Sequence, residues 1–543
     1  MKPYLLIALT ILFASCSSKT EIDLLIYNGT VYTVNDAYAI AEAVAVDKGK
    51  IVEVGTTEAL QKKYKAKKSI NAEGHAVYPG FIDAHAHFLN YGLSLASVDL
   101  VGTRSWEEAV ARVKEFAKNS EATWITGRGW DQNDWEVKSF PDNKLLNEAF
   151  PDRPVYLTRI DGHAAIANQK AFDLAGVTAG DKIDGGVVET KDGKLTGILI
   201  DNAESLVGRA IPEPTIEEMT QSLDKAEANC FAQGLTQIHE CGISYKDALL
   251  IDSLQKAEKI KMKFYTLLSD NPANMEWLFA KGKVRTERMS IRGFKVYADG
   301  ALGSRGACLL RPYSDQPGWY GFLLSPRSHF DSVARVIYEH GMQMCTHAIG
   351  DSGNRTILTT YAKYLNGKND LRWRIEHSQV INKDDFHYFA DNSVIPSVQP
   401  THATSDMYWA KDRLGPERIK YAYANKLLLQ QNGWLALGTD FPVEDISPLK
   451  TFYAAVFRQD AEGFPEGGFE PENALSREEA IRGMTIWAAK AGFQEDEKGS
   501  LEKGKYADIV ILDKDLMKAP EKEVLQTKVL ATIINGEVVY EHK

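Results

Sequence analysis

The 543-residue chain is poor in cysteine, in long apolar runs and in surplus positive charge. Its five cysteines are Cys16, Cys230, Cys241, Cys308 and Cys345. Their spacing fits neither a disulfide framework nor a cysteine-based zinc site, so the last four read as buried free thiols or, at most, one pair. The apolar run from Tyr4 to Phe13 is too short to span a bilayer. Lys and Arg number 63 against 74 Asp and Glu, a net charge of −11 with no long block of one sign, which argues against a nucleic-acid partner. Hydrophobic residues make up 44% and charged residues 25%, the balance of an ordinary globular protein rather than a disordered or fibrous one.

What is present begins with a short leader. Lys2, the apolar run and the small residues Ala14-Ser15 before Cys16 resemble a bacterial lipoprotein signal peptide over residues 1–15. Cleavage before Cys16 would leave an exported protein anchored in a cell-envelope membrane by lipid on that cysteine; a plain secretory signal cut nearby is the alternative. Residues 22–34 then place Asn28-Gly29 between two β-prone runs, a hairpin signal. Val44–Val46 and Ile51–Val54 form a second expected hairpin, and Asn535-Gly536 marks another at the far end, after the strand Tyr506–Leu512. Hairpins are marginal alone, so residues 22–78 and 498–543 are expected to combine into one small β-domain. Residues 79–497 form the body between them.

In that body, strand candidates alternate with helical stretches. Helices are expected over Trp106–Lys118 and Glu217–Gln233, and from the capping box Ser476/Glu479 to about Gly492. Strands are expected at Phe81–His87, Gly234–Glu240, Lys263–Leu268, Ile291–Ala298, Gln343–His347, Trp373–His377, Val394–Gln399 and Trp434–Asp440. A count near eight implies a closed (β/α)8 barrel of the α/β class, with an insertion over roughly residues 90–200 after its first strand. The aromatic stretch Trp124–Trp135 reads equally as a lid or as the packing of that inserted layer.

Working residues of such barrels sit at the C-terminal strand ends. There the chain carries His85-Ala86-His87, Lys295, His347, His377 and Asp440, on five separate strands. Alternation puts Asp83, His85 and His87 on one strand face, and imidazoles about 7 Å apart can converge on one cation. Each residue alone fits a bland role, a hydrogen-bonded core histidine or a helix-capping aspartate. Together they point to a metal centre.

The stretches around these residues resemble the amidohydrolase superfamily, in its amidohydrolase-3 branch of YtcJ-like metal-dependent hydrolases. They are Tyr78–His87, Lys295–Arg305, His347–Asp351, Arg374–His377, Gly438–Pro442 and Gly499–Asp508. The resemblance implies a TIM barrel with a composite β-sandwich built from both chain ends. It implies that His85 and His87 bind a buried divalent cation with Asp440 as a further ligand, that His347 and His377 bind a more exposed one, and that Lys295 bridges the two as an N-carboxylated lysine. Zinc suits these donors, with iron, manganese or nickel as substitutes. An unmodified Lys295 paired with Asp299 or Asp440 in a one-metal site is the alternative. Asp440 would act as general base and then general acid. His163, in Asp161-Gly162-His163, is expected either to bond the substrate or its oxyanion or to be structural, and Tyr297 to line the pocket. His239 and His402 are read as supporting residues at most. The expected activity is hydrolysis of an amide, N-acyl or N-formyl C–N bond in a small molecule. Ester or lactone hydrolysis at the same site, and a non-catalytic solute-binding lipoprotein, are the competing readings. A homodimer is compatible with all of them.

Overall fold

Strands that alternate with helices favour parallel pairing, and eight of them can curl into a closed barrel. The computed structural model describes residues 19–543, so the leader and Cys16 lie outside the described residues. The barrel strands are β1 (Phe81–Ala86), β2 (Leu235–Ile243), β3 (Lys263–Ser269), β4 (Met289–Tyr297), β5 (Gln343–Ala348), β6 (Arg374–His377), β7 (Ile395–Val398) and β8 (Ala436–Leu437). They pair in sequence order, each parallel to the next. β8 is far shorter than the stretch expected from Trp434, because the chain leaves extended pairing at Gly438 to reach across to β1.

That crossing closes the barrel without a regular ladder. The Asp440 N–H donates to the His85 carbonyl at 2.8 Å, and the His87 N–H donates to the Phe441 carbonyl at 2.8 Å. Asp83 does not join His85 and His87 in facing the barrel mouth. Its carboxylate accepts from the Thr439 N–H at 3.0 Å and the Thr439 hydroxyl at 2.7 Å, stitching the seam.

Helices cover the outside. Ile216–Ala232 starts at a capping box of Thr215 and Glu218 and buries Leu223, Ala226, Cys230 and Phe231 against the sheet. Burying a large apolar side chain of this kind is worth roughly 1.5–3 kcal/mol. The helix expected from Ser476 has its capping box, but it is two helices, Arg477–Gly483 and Ile486–Ala491, broken at Thr485 (φ −136°, ψ −96°). The four cysteines of the described residues are free thiols. No described helix is long and apolar enough to cross a membrane.

Both chain ends meet in a sandwich. A four-stranded sheet from residues 20–71 packs on a six-stranded sheet that joins Thr30–Tyr32 and Ala76–Pro79 to the C-terminal strands Ile509–Leu512, Val529–Ile534 and Glu537–Glu541. Leu24, Ile26, Val44, Val77, Ile509 and Ile533 fill the space between. Asn28-Gly29 is not a hairpin, because Thr20–Tyr27 and Thr30–Tyr32 belong to different sheets, and the dipeptide turns the corner between them. The hairpins Ala43–Asp47/Lys50–Gly55 and Val529–Ile534/Glu537–Glu541 form as expected.

Between β1 and β2 the chain builds a further six-stranded sheet containing Ile125–Trp130, Val155–Arg159, Ala164–Ala167 and the hairpin Gly186–Lys191/Lys194–Asp201. The helix Trp106–Ala117 packs on it, and Trp106, Trp130 and Trp135 share its buried core. The aromatic stretch is therefore packing, not a lid.

Candidate metal and catalytic centre

The barrel brings the scattered strand-end residues into one cluster. Ligand atoms of His85, His377 and Asp440, all buried, lie within 4.8 Å of one another. His87 Nε2 is 3.2 Å from Asp440 Oδ1. Lys295 Nζ is 3.0 Å from His85 Nε2. The His347 ring centroid is 4.6 Å from that of His377, with His163 5.0 Å and Tyr297 5.5 Å away from His347. Every barrel residue expected at the site faces the same spot, at the bottom of a cavity of about 860 Å3.

Local backbone geometry explains the convergence. On β6, Arg374 and Glu376 point into the barrel by alternation, which on a regular strand would turn His377 outward. A φ of +72° at His377 swings its ring back over the mouth, and Asp440 has a φ of +65°. Left-handed backbone at non-glycine residues is costly and concentrates at functional sites. At Gly438 a Cβ would sit 2.5 Å from the His85 nitrogen, so only glycine lets the Asp440 segment approach β1 this closely.

Each donor is held in one orientation. Glu376, which sequence reasoning passed over, lies 2.5 Å from His85 Nδ1, fixing that proton and leaving Nε2 bare toward the cluster. Gln399 Oε1 accepts from His377 Nδ1 at 2.7 Å with the same consequence. The histidines are neutral: burial, and then the neighbouring Lys295 charge, pull His85 down to about 4, and burial holds His347 and His377 well below the ordinary imidazole value. Burial alone would raise the Asp440 carboxyl, but the neighbouring His85 ring and hydrogen bonds from His402 and His87 outweigh it and hold Asp440 well below the ordinary carboxylate value. His347 Nε2 is buried without a hydrogen-bond partner, and Asp440 Oδ1 faces imidazole nitrogens, His87 Nε2 at 3.2 Å and His85 Nε2 at 3.4 Å. Bare imidazole nitrogens around a carboxylate oxygen, with orphaned lone pairs among them, fit a divalent transition metal.

Lys295 is fully buried and has no carboxylate in salt-bridge range among the described residues. Asp299 cannot serve as its partner, because its carboxylate accepts from the backbone N–H groups of Cys308, Ile349 and Gly350 at 2.8–2.9 Å.

His402 is more central than its sequence context indicated. Its Nε2 is 3.3 Å from Asp440 Oδ2 and its Nδ1 is 2.9 Å from Glu444 Oε1. Burial opposes its protonation, but those two carboxylates outweigh burial and push it up to about 10. His239 stays below the cluster, 3.0 Å from an Arg374 nitrogen, in the supporting position expected. His163 enters from the inserted sheet with Nδ1 2.6 Å from Asp201 Oδ1; burial opposes its charge, but Asp201 raises it to about 9.

With this geometry in hand, comparison with known proteins is direct. The Amidohydrolase family model matches residues 68–540, and the chain belongs to that family of metal-dependent hydrolases. It is 30% identical to YtcJ of Bacillus subtilis (strain 168), over 95% of this chain and 99% of that protein. It is 26% identical to the N-substituted formamide deformylase of Arthrobacter pascens, over 96% and 98%. The crystal structure of an uncharacterized metal-dependent hydrolase from Pyrococcus horikoshii superimposes with a TM-score of 0.76 at 28% identity, covering 92% of this chain and 99% of that one.

Proposed function

We propose that this hydrolase cleaves an amide-type C–N bond, of N-acyl or N-formyl kind, in a small molecule. The observation that carries the reading is the convergence of His85, His87, Lys295, His347, His377 and Asp440 beneath one cavity. The similarity to a formamide deformylase over nearly the full length favours a C–N bond over an ester or lactone.

His85, His87 and Asp440 would hold one divalent cation, zinc by the chemistry of the donors, and His347 and His377 a second, with Lys295 between them as a carbamate. The missing carboxylate partner supports the carbamate, because an unmodified buried ammonium beside metal ligands would be left uncompensated. A bound cation supplies Lewis acidity and a water acidified to a pKa of about 7. Asp440 orients the nucleophile, takes its proton and returns it to the leaving nitrogen. His163, with Nδ1 committed to Asp201, presents a protonated Nε2 to the substrate carbonyl oxygen. Tyr297 lines the cavity beside Lys295, whose Nζ lies 4.7 Å from its ring centroid.

The test is a panel of N-acyl and N-formyl compounds, with matched esters and lactones, on metal-loaded protein. Hydrolysis of the amides that a chelator abolishes and zinc restores is the expected result. Protein without stoichiometric transition metal, or without turnover of any compound, defeats the reading and favours a solute-binding role. At the N-terminus, lipid on Cys16 would tether the enzyme to a bacterial cell envelope; Cys16→Ser then releases it from the membrane fraction.

A further inference from the structure

The inserted sheet delivers to the catalytic cavity a guanidinium that forms no salt bridge with any of the described residues. Arg128 lies on the strand Ile125–Trp130 and lines the cavity together with His87, His163, Lys295 and Asp440. One nitrogen donates to the Ile160 carbonyl at 2.7 Å, and Nε is buried with no partner. Among the described residues no carboxylate forms a salt bridge with it.

The neighbouring arginine shows how different this is. Arg159, on the adjacent strand, is ion-paired with both Asp131 and Asp161 and donates to Gln132 Oε1 at 2.9 Å. Asp161 is thus already committed. Glu204, also near Arg128, accepts from the Tyr156 hydroxyl at 3.3 Å, and burial holds it well above the usual carboxylate range. Asp440 is engaged by three imidazoles. At the mouth Lys450 is paired with Asp445 at 2.6 Å. Apart from Lys295, Arg128 is the cation in this cavity left without a salt bridge among the described residues.

A guanidinium stays charged at any working pH, and a half-buried one without a counter-ion is costly. Its planar fork matches a carboxylate through two parallel hydrogen bonds. We infer that Arg128 docks a carboxylate carried by the substrate, so that the molecules hydrolysed are N-acyl or N-formyl amino acids rather than neutral amides. This rests on the hydrolytic reading above and names the substrate class for that site. Leaving the ion pair to be completed by the substrate also rejects molecules that lack the acid, because their binding would strand the charge.

The experiment compares N-acetyl- or N-formyl-phenylalanine with the corresponding phenylalaninamide on metal-loaded protein. Wild type is expected to prefer the acid by roughly tenfold or more in kcat/KM, as a charged hydrogen-bonded pair warrants. Arg128→Gln abolishes that preference, chiefly through KM, and Arg128→Lys keeps part of it. Equal rates for acid and amide in wild type, or a preference that survives Arg128→Gln in protein of unchanged melting temperature, overturn the inference. If Arg128→Gln does not fold, Arg128→Lys decides, since an unchanged preference there also overturns it. Calorimetric binding of the same acid and amide to the Asp440→Asn variant needs no turnover. Arg128-dependent binding of the acid by a protein that hydrolyses nothing would sink the hydrolase and keep the anion site. Tighter, Arg128-dependent binding of inorganic phosphate than of the carboxylate would show that the class of anion is wrong.

Discussion

The floor of the catalytic cavity and its wall are built on opposite terms. On the floor, beneath the cluster, buried groups are locked to one another. Glu376 holds His85, Arg374 Nε lies 2.9 Å from Glu376, Arg374 also reaches His239 and the Ala84 carbonyl, and Thr439 holds Asp83. On the wall given by the inserted sheet, His163 and Arg128 each have one side tied down and donors left over for the cavity. A floor with its protons assigned sets up the chemistry, because a donor array that need not reorganise lowers the barrier. On the proposed reading, a wall with unspent donors holds the substrate, Arg128 by its acid and His163 by its carbonyl oxygen. The residues that would hold metal and those that would meet the substrate then reside in different segments of the chain and can be changed separately.

The sharpest way to break this division is at the cluster itself. Asp440→Asn is expected to retain metal and lose turnover by roughly 10²–10⁴-fold, the range for removing a positioned acid–base group. A variant with near-normal kcat would move the general base elsewhere. Next in size is Glu376→Gln, one bond away. It is expected to weaken metal binding by about 10–100-fold, as for other partners of metal-bound histidines. Metal affinity read by chelator competition, unchanged in this variant, would show that the floor does not position His85.

On the wall, the contrast is tested by pH. Asp201 keeps His163 protonated up to about 9, so a rate that needs this proton is present below that pH and falls as pH rises through it. Asp201→Asn should shift the alkaline limb down toward the unperturbed imidazole value of about 6.5 without altering metal content. A limb that stays in place would take His163 out of the reaction. The smallest effect belongs to neither region: Ser476→Ala removes a helix cap far from the cavity and should cost about 1 kcal/mol in unfolding free energy with kcat untouched.

Much of the floor could be read from the sequence because its parts sit where strand alternation and strand ends must put them. His85, Lys295, His347 and Asp440 were legible for that reason, and so was the barrel, from the rhythm of strands and helices. Glu376 lies within the Arg374–His377 stretch but carries no sequence signal of its own, since alternation allows only one of Glu376 and His377 to face inward. Only the left-handed turn at His377 lets both residues point inward. His402 was underrated because its partners, Asp440 and Glu444, are distant in sequence. Arg128 left no signal at all, for an unpaired charge is recognised by what fails to surround it. Asn28-Gly29 misled because the dipeptide encodes a turn, not which sheet the next strand joins.

The seam between β1 and the segment after β8 ties Asp83 to Thr439, residues 356 positions apart. Drawing such distant segments together carries an entropic cost that is met only once the intervening strands have assembled. The cation would therefore be captured by the finished barrel and by no shorter intermediate, and bound metal becomes a reporter of completed folding. A chain cut short of Thr439 lacks both the clasp and the aspartate beside it, so truncated copies are expected to lose tightly bound metal and turnover.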